Sequence, residues 1–458
     1  MPNSPNEVPP SPVSRGGLLK YELTPVAALK PAARNARDHG KAQLKALESS
    51  LAAFGMISPV IRDANNRIVA GHGRVEAAKR AGLTMIPTLQ IDHLSEAEIR
   101  LYALADNRIA ERSTWNETAR AEEFRELRME VPDLDLTLSG FEHPVIELAI
   151  ASLEQTDWSD LDAISEKLPA DPITQLGDIW DFPNGHCLVC GDSTKPETVA
   201  IAVNGETVGL VAEDFPYNLR AKEYSGKGRH QHGDFKMAAG EMSQDQFRTF
   251  LTNSYAAVLP HLADGALLFG FMDWKHIGDL IDAGERSAFE LKNIVVWDKG
   301  KGGMGALYRS AHELIAVFKH GKAPHTNNIM LGKNGRDRHN IWRYAGMNRF
   351  GRGRDRALSL HGTVKPVEMI CDLMLDASQP GDVVFDGFSG SGTTLVAAEK
   401  MGRRGKVVEL DPRYCDVAID RFLLAFGEEP VARGSGLTFS ETAQLRASSS
   451  HKEACDEQ

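Results

Sequence analysis

The sequence predicts an α/β protein in which a doubly wound sheet follows a smaller α/β domain. Three observations carry that expectation. Between about residues 171 and 428, apolar runs such as TVGLVAED, GALLFGF, KNIVVWD, LIAVF, DVVFDGF and GKVVEL alternate with helical stretches. Such alternation marks a largely parallel sheet covered on both faces by helices. A glycine-rich turn, DGFSGSG, separates one of these strands from the helix that follows. Ahead of this block, residues 18–112 carry their own shorter set of strands and helices, and 458 residues leave room for two or three cores.

In chain order, residues 1–17 form a Pro/Ser-rich arm with no apolar face and are expected to be disordered. Helical periodicity runs through KAQLKALESSLAAFG and stops on Gly55, a natural C-cap. PVIRDANNRIVAG reads as two short strands around a DANN turn. GRVEAAKRAG is a helix that closes on Gly82, and MIPTLQID is a strand. SEAEIRLYALADNRIAE is a helix, with Ser95 as its cap and Glu98 at its third position. Residues 113–170 are polar and helix-leaning, a connector to the large block at 171–428. Residues 429–458 lack apolar periodicity and read as a disordered tail.

Composition narrows the function classes. No apolar run reaches the roughly 18 residues needed to span a bilayer, so no membrane association is expected. The N-terminal arm has no apolar core that would make it a secretory signal, and cytoplasm is the expected location. Five cysteines do not make a disulfide framework, and Cys187-Leu-Val-Cys190 has no second pair to complete a zinc site. His230 and His232 suit loop positions or DNA contacts better than a metal, so no metal is expected. The net charge of −11 excludes a uniformly basic DNA-coating protein. It hides a contrast, because residues 299–356 carry 13 Lys/Arg against three acidic residues. With Trp342, Tyr344 and Phe350 interleaved, that segment suits a polyanion.

The glycine turn is the most informative stretch. A strand ends at Asp386, glycines follow at 387, 390 and 392, and a helix opens at Thr393. These glycines permit tight turns and close backbone approach to a ligand. Their spacing is not the dinucleotide fingerprint, and no lysine follows to make a phosphate-binding loop. A second strand ends at Glu409, 23 residues after Asp386. An acid at the end of the second strand commonly receives ribose hydroxyls. A nucleoside-containing cofactor is therefore expected.

FDGFSGSGTT resembles the F-x-G-x-G loop of S-adenosylmethionine-dependent DNA amino-methyltransferases. LHGTVKP resembles their H-P-T-x-K-P motif, DFPYNL their D-P-P-Y, and CGDS at 190–193 their G-D element. The catalytic motif precedes the cofactor loop, which is the order of the β class. The resemblance spans about residues 176–427 and implies a Rossmann-like methyltransferase fold with a doubly wound mixed sheet. It implies S-adenosyl-L-methionine as cofactor and double-stranded DNA as partner. The reaction would be methylation of the exocyclic amine of a flipped base, adenine N6 first and cytosine N4 as the alternative. In the catalytic role it places Asp214, Phe215, Pro216 and Tyr217. Cofactor contacts fall to Asp192, Thr363, Lys365, Asp386, Phe388, Gly390, Gly392 and Glu409. Lys365 is expected near the methionine carboxylate, and Tyr217 is expected to stack on the base. Target recognition would occupy about residues 320–358, and a homodimer is implied.

Three prolines of the family patterns are replaced, by Phe215, Gly362 and Gly387. Phe215 is expected to put its bulk against the target amine, and these losses leave open a catalytically impaired, DNA-binding or regulatory relative. IVAGHGRVEAAKRAG resembles the G-x-x-R-x-x-A box of ParB-like N-terminal domains, with Gly71, Arg74 and Ala77 in register. That resemblance covers about residues 20–112. It implies a nucleotide or DNA contact, because glycines ahead of a helix N-terminus with an adjacent arginine make an anion site. The pairing of the two domains resembles bacterial and prophage DNA-modification proteins of the restriction-modification type.

Overall fold

A computed structural model of the chain describes residues 19–34, 37–110, 112–153, 161–162, 168–219, 238, 240–300, 307–329, 338–344 and 364–456. They fall into two compact units, Met1–Glu154 and Gln155–Gln458.

In the first unit, strands β1 (Lys20–Pro25), β2 (Val60–Asp63), β3 (Ile68–Ala70) and β4 (Met85–Ile91) form one mixed sheet in the order β1-β4-β2-β3. The expected hairpin is β2–β3. Its turn is held by Asp63, whose Oδ1 accepts from the backbone N–H groups of Asn65 (2.9 Å) and Arg67 (2.8 Å). Helices α1 (Lys41–Phe54), α2 (His72–Arg80) and α3 (Glu96–Ala110) complete the domain. Gly55 ends α1 with φ 72°, as a C-cap glycine can. Ser95 and Glu98 exchange the reciprocal bonds of a capping box ahead of α3. Val26, Leu29, Val60, Ile68, Val75, Ala78 and Ile86 form the core. The stretch read as a connector is more than that. Helices α4 (Glu117–Glu130) and α5 (His143–Leu153) bury Phe124, Leu136, Ile146 and Ile150 in a core of their own.

The second unit is built on a ten-stranded mixed sheet. Its strands are β5 (Ile179–Asp181), β6 (Cys187–Cys190), β7 (Val208–Asp214), β8 (Leu262–Met272), β9 (Glu290–Asp298), β10 (His312–Lys319), β11 (Ile341–Arg343), β12 (Val383–Asp386), β13 (Arg404–Glu409) and β14 (Val431–Ala432). They lie in the order β11-β9-β10-β8-β7-β12-β13-β6-β5-β14. The centre, β8-β7-β12-β13-β6, is parallel, while β10 and β5 run antiparallel to their neighbours. Helices α6 (Pro196–Val203), α7 (Gln244–Val258), α8 (Ile277–Arg286), α9 (Val367–Ala377), α10 (Thr393–Lys400) and α11 (Pro412–Phe426) cover it. One face carries Val211, Phe215, Phe247, Leu251 and Tyr255; the other carries Leu210, Ala212, Trp297, Met369 and Ile370. The doubly wound mixed sheet expected from the sequence is present.

The tail reading is corrected. Residues 429–456 form β14 and helix α12 (Phe439–Asp456). The segment has little apolar periodicity, but it has one anchor. Phe439 is 5% exposed and packs edge-on against Trp180, ring centroids 5.3 Å apart. Arg446 adds an ion pair to Asp178 at 2.6 Å.

Candidate functional site

From β7 the chain continues through α7 to β8 on one side, whereas from β12 it continues through α10 to β13 on the other. Strand order therefore reverses between β7 and β12. Ligands of open α/β sheets bind in the crevice beyond the carboxyl ends of strands at such a point. Asp214 ends β7, Asp386 ends β12 and Glu409 ends β13, so residues distant in sequence meet along one edge.

Strong hydrogen bonds set the glycine turn. Asp386 accepts from the Phe388 backbone N–H at 2.9 Å and from the Thr394 hydroxyl at 2.6 Å. Glu409 accepts from the N–H of Gly390 at 2.8 Å and of Asp411 at 2.7 Å. Gly392 caps α10 at φ 79°, and a Cβ there would meet the Ala418 Cβ at 2.8 Å, so only glycine lets the turn sit on α11. Beneath it Arg421, buried and pushed down to about 10 by burial, donates to Ser391 and Thr393. Asp192 accepts from the backbone N–H of Thr194 at 2.9 Å and from its hydroxyl at 2.7 Å. Next to it, the Gly191 N–H donates to the Glu409 carbonyl at 2.9 Å, which brings Asp192 beside the turn.

Burial pushes Asp386 and Glu409 up to about 7. A third strand-end carboxyl, Glu213, is pushed up to about 8 by burial and by the Asp386 charge. The Gly387 backbone N–H opposes that shift. A Cβ on Gly387 would lie 2.9 Å from Glu213 Oε1, so this glycine leaves room for the carboxyl.

On the opposite sheet face Asp214 meets Lys365. The ammonium lies 2.7 Å from Asp214 Oδ2, 3.2 Å from Glu313 Oε2 and 3.1 Å from the Tyr217 hydroxyl. Tyr217 donates to Asp214 Oδ1 at 3.1 Å. Behind Glu313 lies Lys299, in direct contact with it. The rings of Tyr217, Phe271 and Trp297 surround the Lys365 ammonium at 5.4–5.7 Å from their centroids, a cation–π arrangement. Burial opposes the charge on Lys365, but Asp214 and Glu313 outweigh it and hold the ammonium above its ordinary value. Burial likewise opposes ionisation of Glu313, yet Lys365 and Lys299 hold that carboxyl at about 2. For Asp214 burial wins, aided by the Glu313 charge and opposed by Lys365, and its value is raised.

Most of the expected site residues thus gather along one edge in two groups. Asp214, Pro216, Tyr217 and Lys365 make one; Asp192, Asp386, Phe388, Gly390, Gly392 and Glu409 make the other. Thr363 lies outside the described residues. Lys365, expected near the methionine carboxylate, is 4% exposed in its side chain and contacts Asp214, Glu313 and Tyr217. The expectation that Phe215 crowds the target amine is corrected. Its ring is 1% exposed and packs into the core against Tyr255 (5.5 Å) and Phe388 (5.1 Å). Successive residues at a strand end point to opposite faces, so Asp214 and Phe215 diverge. The sequence reading missed Glu313, Lys299 and Asn218. Asn218 pins the segment ahead of α7 by accepting from the N–H groups of Gly240 and Met242. Within the basic stretch, Arg338 is committed to Asp372 (2.9 Å) and Asp376 (3.0 Å), and most of the expected recognition segment lies outside the described residues.

In the first unit, Gly71 starts α2 at φ 99°, and a Cβ on it would lie 3.2 Å from the Arg74 Nη2. Burial lowers the Arg74 value, and Asp106 and Tyr102 oppose that shift. A half-buried guanidinium beside a helix N-terminus can receive an anion. Among the described residues there is no group of His, Cys, Asp and Glu that could hold a metal, and no helix long and apolar enough to cross a membrane.

In comparison with known proteins, residues 208–420 match the family model described as DNA methylase and residues 20–108 that described as ParB N-terminal domain. The ParB-like nuclease domain-containing protein YnaK of Escherichia coli (strain K12) is 36% identical over 80 residues, 18% of this chain and 92% of that protein. The type II methyltransferase M2.MboI of Moraxella bovis is 28% identical over 141 residues, 29% of this chain and 50% of that protein. Among solved structures, the M1.HpyAVI–SAM complex matches with 18% identity and a TM-score of 0.39, over 51% of this chain and 97% of that one. The PvuII DNA methyltransferase (cytosine-N4-specific) matches with 17% identity and a TM-score of 0.41, over 53% and 89%. Residues 208–420 are thus similar to DNA methylases, and through its N-terminal domain the chain belongs to the ParB-like family.

Proposed function

We propose that the protein transfers a methyl group from S-adenosyl-L-methionine to the exocyclic amine of a base flipped out of double-stranded DNA, adenine N6 being our first reading and cytosine N4 the second. The observation that carries the reading is the meeting of Asp214-Phe215-Pro216-Tyr217 with the glycine turn at the switch point of the sheet. The residues present fit the cofactor. Three buried carboxyls, Glu213, Asp386 and Glu409, stand at the strand ends, and the cofactor carries a sulfonium and an ammonium. The turn glycines allow the backbone to approach closely.

In this reading Glu409 receives the ribose hydroxyls and Asp192 approaches the adenine. Phe388, Gly390 and Gly392 line the wall, and Asp386 holds the turn. Thr363 is assigned to the methionine end by family pattern alone. The amine lone pair of a base is delocalised into its ring. Asp214 and a backbone carbonyl of Phe215 or Pro216 would each accept one amine hydrogen, which localises that pair, and Tyr217 would stack on the base. When bound, the cofactor would supply the electrophilic methyl, its sulfur keeping the S–CH3 electron pair, and the proton shed by the amine nitrogen would pass to the Asp214 carboxylate that accepts its hydrogen. The raised Asp214 carboxyl suits an acceptor of amine hydrogens. In the N-terminal domain we read the Gly71–Arg74 turn as a seat for a phosphate of nucleotide or DNA.

Incubation with methyl-labelled S-adenosylmethionine and mixed-sequence DNA, followed by digestion to nucleosides, tests the proposal. Label is expected in N6-methyl-2′-deoxyadenosine and lost by at least about 100-fold in Asp214→Ala. Label in N4-methyl-2′-deoxycytidine selects the second reading. Cofactor binding with no transfer to any DNA would overturn both.

A further inference from the structure

Glu313 belongs to none of the motifs, yet it touches the centre of the site. It lies on β10, antiparallel to β8, with its side chain 7% exposed. It contacts Lys365 at 3.2 Å on one side and Lys299 on the other. Lys365 in turn contacts Asp214 at 2.7 Å. The four groups therefore form a chain, Lys299–Glu313–Lys365–Asp214, of two cations alternating with two carboxylates. A buried pair of Lys365 and Asp214 alone would leave the carboxylate saturated by its own ammonium. Sharing the ammonium with a second carboxylate weakens that hold, and pairs of titratable groups whose environments push them apart mark acid–base assignments. We propose that Glu313 is a positioning residue for methyl transfer: backed by Lys299, it shares the Lys365 ammonium, so that Asp214 stays basic enough to accept a hydrogen of the target amine.

The inference rests on the amine-methylation reading for its purpose, but the charge chain can be tested without turnover. The charged and titratable groups facing Asp214 are Lys365, Glu313, Tyr217 and, from the end of β12, Asp386. Lys299 acts through Glu313. Removing the Glu313 charge makes Asp214 a stronger acid; removing the Lys299 charge makes it a weaker one. A purely structural Glu313 would not give shifts of opposite sign.

The test is a carboxyl carbon-13 titration of Asp214, assigned through Asp214→Asn, in the full-length parent, Glu313→Gln and Lys299→Met. Alongside it runs the pH profile of kcat for labelled methyl transfer. In Glu313→Gln, Asp214 is expected to titrate at lower pH, with the acid limb of kcat following it. The plateau kcat should fall about 10-fold and KM for S-adenosylmethionine stay within about twofold. Lys299→Met is expected to move both readouts to higher pH. Coincident Asp214 titrations in parent and variants, or shifts of the same sign, would overturn the proposal. If Glu313→Gln does not fold, the Lys299→Met change, at a side chain 26% exposed, decides by the direction of its shift. A parent that transfers no methyl group, while Asp214 shifts in opposite directions as expected, would overturn the methylation reading and leave the charge chain standing.

Discussion

Phe215 follows Asp214 directly, and its ring points away from it. The ring lies between Tyr255 and Phe388, with one edge near Gly270, where an added Cβ would meet it at 3.3 Å. It thus ties the segment after β7 to the glycine turn through the core. The family pattern suggests repairing the motif with Phe215→Pro. Two magnitudes decide the outcome. Proline's restriction of the unfolded chain is worth up to about 1 kcal/mol. Loss of a buried aromatic ring costs about 3–5 kcal/mol. Phe215→Pro is therefore expected to lower the unfolding free energy by a net 2 kcal/mol or more, read by urea denaturation, without raising kcat. A faster and equally stable variant would contradict this packing role. The sequence told which residue stood at 215 but suggested the wrong side of the backbone. The motif comparison treats residues as a string, whereas strand geometry alternates their faces.

At the scale of elements, three parallel strands deliver carboxyls to one edge. Asp386 and Glu409 were legible, because each closes an apolar run beside the glycine turn. Glu213 and Glu313 were not, since an acid at the margin of an apolar run has no signature until the sheet packs around it. Lys365 was legible as a motif lysine, but its bond to Asp214, 151 residues away in sequence, depends on helix α9 starting beside β7. The raised carboxyls have a measurable consequence. Asp386 and Glu409 at about 7 and Glu213 at about 8 hold protons near neutrality in the free protein. A cationic ligand favours their ionised forms, so binding lowers these values and releases protons. Affinity for S-adenosylmethionine is expected to rise as pH goes from 6 to about 8 and to level off once the groups are ionised. Calorimetry in buffers of different ionisation enthalpy should detect the released protons. Glu213→Gln should reduce the release, and an unchanged proton count would place Glu213 outside the linkage.

Across the whole molecule, the two-part organisation and the sheet class were readable because periodicity and turn residues are local properties. The C-terminal segment was less so. The last segment looks featureless in sequence because its order is supplied by one aromatic contact and by ion pairs to residues far upstream, among them Arg433 with Asp181. Within the basic stretch, Arg338 serves α9 carboxylates, a commitment that local charge does not reveal.

Strand β14 has only two residues, yet it is the outermost strand on its side of the ten-stranded sheet, paired antiparallel with β5. An uncovered edge offers unpaired N–H and C=O groups to any passing strand. Ending the chain after Glu428 would bare the outer side of β5 and strip Phe439 from Trp180. Light scattering is expected to show self-association of the shortened protein on storage, together with a lower melting temperature. A shortened protein that stays monodisperse and melts with the parent would mean that β5 guards its own flank. The final thirty residues would then be dispensable, and otherwise they are what keeps the sheet from recruiting its neighbours.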